Sequence, residues 1–151
     1  EVGGAVEAYR TEDAERIFEA MIRDHPESAA PFAELARSRA QRGDFIVYAF
    51  AGEAQQRYPG LQGQPFFKIV RGLPGDTVTV SGRQVAINGE DVGAAKTKAY
   101  DRQPLAPIAP TVIPPRYYYV QGTSPDSFDS RYRESGLIRA EQVIGVVVPL
   151  F

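Results

Sequence analysis

The order of hydrophobic and polar positions divides the chain into a helical first part and a β-rich remainder. Within residues 12–41, apolar side chains recur at the three- and four-residue spacing of an amphipathic helix, with charged residues between them. Pro26 interrupts this pattern, because a proline disfavours helical backbone in the residue before it. Gly43 is a natural helix stop. We therefore predict two short helices within an N-terminal segment over residues 1–41.

Residues 42–151 instead contain short runs rich in Val, Ile, Phe and Tyr that are bounded by Gly or Pro, as is typical of β-strands. Asn88-Gly89 marks the tight turn that follows the clearest predicted hairpin. Residues 92–115 contain five prolines and are predicted to be irregular. The predicted strands are residues 45–50, 66–71, 77–80, 84–87, 117–120 and 142–148. The pattern thus indicates a mostly β domain over residues 42–151.

Composition removes several classes of function. The 151 residues include no cysteine and one histidine, His25, so thiol nucleophiles, cysteine-ligated metals and a multi-histidine metal site are excluded or hard to build. The formal net charge of −2 argues against a protein that binds nucleic acid through clustered Lys and Arg. We expect neither a cofactor nor a metal. A site built from serine, lysine and carboxylates remains available.

Lys68 is the first candidate for chemistry, because it lies in a predicted strand between Phe66, Phe67, Ile69 and Val70. Apolar surroundings disfavour the ammonium and lower the pKa of a lysine, and a neutral amine is a competent general base in Ser-Lys pairs. The alternative is a lysine on the solvent face of the strand, with its aliphatic stem over apolar neighbours. The local sequence leaves both interpretations open.

Three sequence blocks lie around Lys68 and read RGDFIV at residues 42–47, KIVRGLPGDTV at residues 68–78 and SFDSRY at residues 127–132. In this order they resemble the type I signal peptidases of family S26. The longer stretch GTSPDSFDSRY at residues 122–132 is most similar to the conjugative-transfer branch, the TraF-type pilin maturation peptidases. The resemblance covers about residues 42–151 and implies a coiled β-sheet fold of the LexA/signal peptidase type, with a short helical N-terminal segment before it.

The resemblance also implies roles for particular residues. Lys68 takes the position of the general base, Ser127 that of the serine that orients the lysine, and Asp129 with Arg131 that of an ion pair that holds their loop. The alternatives are a turn serine at Ser127 and a surface ion pair worth under about 1 kcal/mol. The residues that match structural positions, in the bend after the lysine strand, are Gly72, Pro74, Gly75 and Asp76.

The nucleophile is predicted with less support from the motifs. The resemblance implies a serine before residue 42, where the chain has only Ser28 and Ser38. Ser28 is the better match, because it begins the sequence Ser28-Ala29-Ala30-Pro31. It is also a good N-cap for the second predicted helix. Both interpretations of Ser28 stay open.

The function implied by the resemblance is that of a serine endopeptidase with a Ser-Lys dyad. Its substrates would be exported precursors, in the conjugative branch a pilin subunit, cleaved at the periplasmic face of the inner membrane. The resemblance implies an N-terminal membrane helix, and no stretch of the sequence approaches the roughly 20 apolar residues that span a bilayer. We therefore expect the chain to be a trimmed version of an anchored protein. The alternative is an inactive peptide-binding or pilus-assembly module that lacks the nucleophile.

Overall fold

The computed structural model describes residues 40–147. The two helices predicted within residues 1–41 and the candidate nucleophile Ser28 therefore lie outside the described residues, apart from the last two positions of the segment. Ala40 and Gln41 are not helical.

A five-stranded antiparallel sheet forms the larger half of the fold. Its strands are β1 (Phe45–Ala49), β2 (Pro65–Gly72), β7 (Tyr117–Gln121), β8 (Ile138–Arg139) and β9 (Val143–Val147). They lie in the order β8-β7-β2-β1-β9, so β1 and β2 are neighbours. The three middle residues of β1 and of β7 are all buried, so both faces of the sheet are covered there.

A four-stranded antiparallel sheet follows β2 in the chain. Its strands are β3 (Thr77–Ser81), β4 (Gln84–Ile87), β5 (Glu90–Ala94) and β6 (Thr111–Val112). They lie in the order β5-β4-β3-β6. Asn88 and Gly89 have φ values of 51° and 82°, as the tight turn between β4 and β5 requires. The mostly β fold class is confirmed.

The prediction that residues 92–115 are wholly irregular is wrong at both ends. Val92, Gly93 and Ala94 complete β5, and Thr111–Val112 forms β6 against β3. The sequence hides β5 because Glu90 and Asp91 replace the alternating apolar residues that mark a half-buried strand. This strand forms because the preceding tight turn places it against β4.

Short 3₁₀ helices complete the regular structure, at Glu53–Gln56, Pro59–Leu61 and Ala140–Gln142. Between residues 40 and 147, no helix has both the length and the apolar character needed to cross a membrane.

Gly72 lies where the two halves of the fold meet. A Cβ at this position would lie 2.6 Å from Ile113 Cδ1 and 2.9 Å from Tyr119 Cβ. Any residue other than glycine would therefore clash with these two side chains. Tyr119, Ile113 and Ile87 belong to the core of the smaller sheet, and the neighbouring Val70 belongs to the core of the larger one. The end of β2 is therefore packed between both cores.

The bend after Gly72 is closed by the carboxylate of Asp76. It accepts hydrogen bonds from the backbone N–H of Leu73 at 2.8 Å, from Arg42 Nη1 at 2.6 Å and from Asn88 Nδ2 at 3.0 Å. These contacts, with Arg42 the strongest, lower the pKa of Asp76 to about 2. Gly75 completes the bend at a φ of 90°.

Candidate active site

Lys68 and Ser127 meet beside β2, the middle strand of the larger sheet. The Nζ atom of Lys68 lies 2.8 Å from Ser127 Oγ, and the two residues are 59 positions apart in the chain. Lys68 is half-buried on β2, and the ring of Phe66 lies 5.7 Å from Nζ. The lysine is therefore directed at a hydroxyl rather than at bulk solvent.

The pairing of β2 with β7 explains why the two residues meet. Gln121, the last residue of β7, is the register partner of Ile69. The chain therefore leaves the sheet within one residue of Lys68, and the loop over residues 122–131 begins beside the lysine. Ser130 anchors the far end of this loop, because its Oγ accepts a hydrogen bond from Val120 N and donates one to the carbonyl of Gly136.

Asp129 and Arg131 form a buried ion pair inside this loop. Their side chains are 0% and 3% exposed, and Arg131 Nε donates to Asp129 Oδ1 at 2.9 Å. Burial lowers the pKa of the Arg131 guanidinium, but the bond and the charge of Asp129 outweigh it, so that pKa is raised overall. The alternative of a surface ion pair is therefore wrong.

The ion pair is hydrogen-bonded to the backbone of Ser127 itself and to that of Gly122, at the start of the loop. Arg131 Nη2 donates to the carbonyl of Ser127 at 2.9 Å, and Asp129 Oδ2 accepts from Gly122 N at 3.1 Å. Arg131 Nη1 also donates to the carbonyl of Ala94 on β5, at 3.3 Å. The position of Ser127 thus depends on a network that reaches the smaller sheet.

Gly122 is a site residue that sequence reasoning missed. A Cβ at this position would lie 2.0 Å from Ser127 Oγ and 3.5 Å from Lys68 Nζ. Its φ is not in the left-handed region, so close approach, rather than a turn, requires the glycine. The local signals that could have drawn attention to Gly122 are its place directly after a strand, five residues before the motif serine, and its position at the start of the stretch GTSPDSFDSRY.

The structure thus brings together four of the residues singled out from the sequence. These are Lys68, Ser127, Asp129 and Arg131. The bend residues from Gly72 to Asp76 lie at the C-terminal end of β2 and beyond it, four or more residues after Lys68 in the chain. Over the described range 40–147, no group of three or more His, Asp or Glu side chains could hold a metal ion.

The family relationship of this chain follows from its match to a protein-family model. A sequence model of the family described as "Signal peptidase, peptidase S26" matches residues 9–151, which is nearly the whole chain. The chain belongs to this signal peptidase family. The match includes all three sequence blocks, and it extends through the N-terminal residues in which Ser28 lies.

This member of the signal peptidase family is similar to a conjugal transfer protein and to a signal peptidase I, the two groups that the motifs suggest. It is 34% identical over 89 residues to the "Conjugal transfer protein TraF" of Agrobacterium fabrum (strain C58), covering 58% of this chain and 49% of that protein. It is 32% identical over 112 residues to "Signal peptidase I" of Leptolyngbya laminosa, covering 74% of this chain and 52% of that protein. The chain spans about half the length of these relatives.

Among solved structures, a signal peptidase I from Enterococcus faecalis aligns with 73% of this chain and 97% of its own. The TM-score is 0.44 and the sequence identity is 24%.

Proposed function

We propose that this chain is the catalytic domain of a serine endopeptidase of the signal peptidase I type, with Lys68 as general base. The observation that carries the proposal is the 2.8 Å contact between Lys68 Nζ and Ser127 Oγ. A lysine kept in place by a serine, whose loop is in turn held by a buried ion pair, is organised to receive a proton from a third group.

The proposed mechanism requires the neutral amine of Lys68. A neutral amine has two N–H donors and one lone pair. Donating one N–H to Ser127 Oγ stops free rotation of the amine and restricts the lone pair to the two remaining positions around the Cε–Nζ bond. The lone pair then takes the proton of the nucleophilic hydroxyl, for which we propose Ser28. The resulting alkoxide attacks the scissile carbonyl, the peptide C–N bond breaks, and the leaving amine takes the proton from the Lys68 ammonium. The acyl-enzyme that remains is resolved by water or by an amine.

The likeness to a conjugal transfer protein supports a narrower proposal about substrates. We propose that the substrate is an exported precursor, in particular a pilin subunit, processed at the periplasmic face of the inner membrane. In that case the acyl-enzyme can be resolved by hydrolysis or by the amino terminus of the pilin, which would give a cyclic product.

The test of the nucleophile uses the two serines that precede residue 42. In the full-length protein co-expressed with a pilin precursor, Ser28→Ala should abolish conversion of precursor to mature product, as judged by mass spectrometry. Ser38→Ala is the matched control and should retain conversion, because it lies outside the proposed motif. Conversion by Ser28→Ala would overturn the assignment of Ser28. Binding of the precursor without conversion by the wild-type protein would favour the inactive module.

A second test concerns the close approach at Gly122. We expect Gly122→Ala to reduce kcat by about 100-fold, because a displacement of roughly 1 Å in a catalytic group can cost that much. The added methyl group would overlap Ser127 Oγ, so the serine must move away from Lys68. Gly60→Ala is the control, because a Cβ there meets nothing within 4 Å. Equal activity of both variants would contradict the geometry.

A further inference from the structure

A cavity of about 690 Å³ opens beside the loop that carries Ser127. Its walls come from three segments that are distant in sequence, namely residues 54–61, 96–105 and 126–134. Asp126 and Phe128, the two neighbours of Ser127 in the chain, both line it. The volume lies within the range of roughly 300–1,000 Å³ that is usual for ligand pockets. The proposed mechanism does not use this cavity.

The chemistry of the lining favours an apolar ligand. Its charged residues are three basic and three acidic ones, so the lining has no net charge and does not select an anion or a nucleic acid. Two of the charged side chains are paired across the cavity wall, Lys96 with Asp126. The large apolar and aromatic lining residues are Tyr58, Leu61, Tyr100, Leu105, Phe128 and Tyr132.

Tyr100 is fully exposed at the edge of this cavity. It lies in a turn in which Ala99 N donates to the carbonyl of Gln103, and Asp101 in the same turn accepts a hydrogen bond from the hydroxyl of Tyr58. A single exposed tyrosine is ordinary on a protein surface. Here, however, a defined turn presents the ring next to an aromatic cavity, which gives an incoming side chain a further surface to contact.

The cavity and the lysine–serine pair are parts of one structural unit. Arg131 holds the carbonyl of Ser127, while the hydroxyl of Tyr132, the next residue, accepts a hydrogen bond from Lys96 N. Phe128 stacks on Tyr132 with ring centroids 5.7 Å apart. A ligand that packs against Phe128 therefore contacts the same loop that positions Ser127.

We propose that this cavity binds a large apolar side chain of the peptide substrate, a few residues away from the scissile bond. The inference rests on the proposed peptidase function. Consecutive Cα atoms are 3.8 Å apart, so walls formed by Asp126 and Phe128 begin within one residue of Ser127. An extended peptide advances about 3.3 Å per residue, and a substrate held at Lys68 can therefore reach the cavity within a few residues.

The test uses the full-length protein and two sets of fluorogenic 12-residue peptides with alanine at the cleavage site. Each peptide of the first set carries a single phenylalanine, at a different position on one or the other side of the cleavage site. The second set is the reference peptide, which has alanine throughout. We expect one phenylalanine position to raise kcat/KM about tenfold. Tyr100→Ala and Ala99→Trp should remove that gain while changing kcat/KM for the all-alanine peptide less than twofold. Val112→Ala, an exposed apolar residue on β6, is the control and should keep the gain.

The results separate this inference from the proposed function. A loss that is equal for both peptides, or a phenylalanine preference that survives both cavity variants, would overturn the cavity assignment while leaving the peptidase intact. If no peptide is cleaved, fluorescence anisotropy measures binding of the same peptides to the wild-type protein and to Tyr100→Ala. Tighter binding of a phenylalanine peptide that Tyr100→Ala abolishes would support the cavity without a peptidase. Equal binding of all peptides would contradict it.

Discussion

Replacing Lys68 with methionine should reduce the rate of precursor processing at least about 10³-fold and leave the fold unchanged. General-base catalysis by a positioned side chain contributes typically 10²–10⁴-fold, and here the same group would also activate the nucleophile. Methionine keeps an apolar stem of similar length over Phe66, so that only the amine is lost. The measurement is the rate of conversion of a pilin precursor by the purified full-length protein, together with its thermal unfolding.

Two further variants show whether the amine itself is required. Lys68→Arg keeps a positive charge, but a guanidinium does not release its proton at accessible pH, so this variant should be as inactive as the methionine variant. Arg71→Ala removes an exposed basic side chain from the same strand and should retain processing. Activity in Lys68→Arg or Lys68→Met would refute Lys68 as the base.

Replacing Arg131 with methionine should lower the free energy of unfolding by about 3–5 kcal/mol. Removing one partner of a buried ion pair leaves the other charge without compensation, and Asp129 is fully buried. The variant also loses the donors to the carbonyls of Ser127 and Ala94, so the loop and β5 are no longer tied together. Chemical denaturation followed by circular dichroism measures the loss.

An exposed arginine in the same segment supplies the control. Arg133 pairs with Glu53 at 3.6 Å with both side chains more than half exposed, so Arg133→Met should change stability by less than about 1 kcal/mol. Combining Arg131→Met with Asp129→Asn removes the uncompensated charge and should recover part of the loss. Equal stability of the two arginine variants would show that the buried pair does not stabilise the loop.

The local part of the fold could be predicted because its causes are local. Alternating apolar residues determine the β3–β4 hairpin, and Asn88-Gly89 determines the tight turn after it, since a tight turn and a strand face depend on residues close in sequence. The strand β5 lacks that alternation and was not predicted. The family could also be predicted, because the block around Lys68 and the block around Ser127 each keep a recognisable order of residues. The family match over residues 9–151 confirms that prediction.

The sequence by itself therefore determined the β class, the family and the strand that carries Lys68. Only the tertiary structure decided that Lys68 donates to Ser127, which requires β7 to end beside Ile69. It also decided that Gly122 must lack a side chain, and that a cavity forms from three separated segments. The physical reason is that these features depend on distances between residues far apart in the chain, which the packing of two sheets sets and local patterns do not encode.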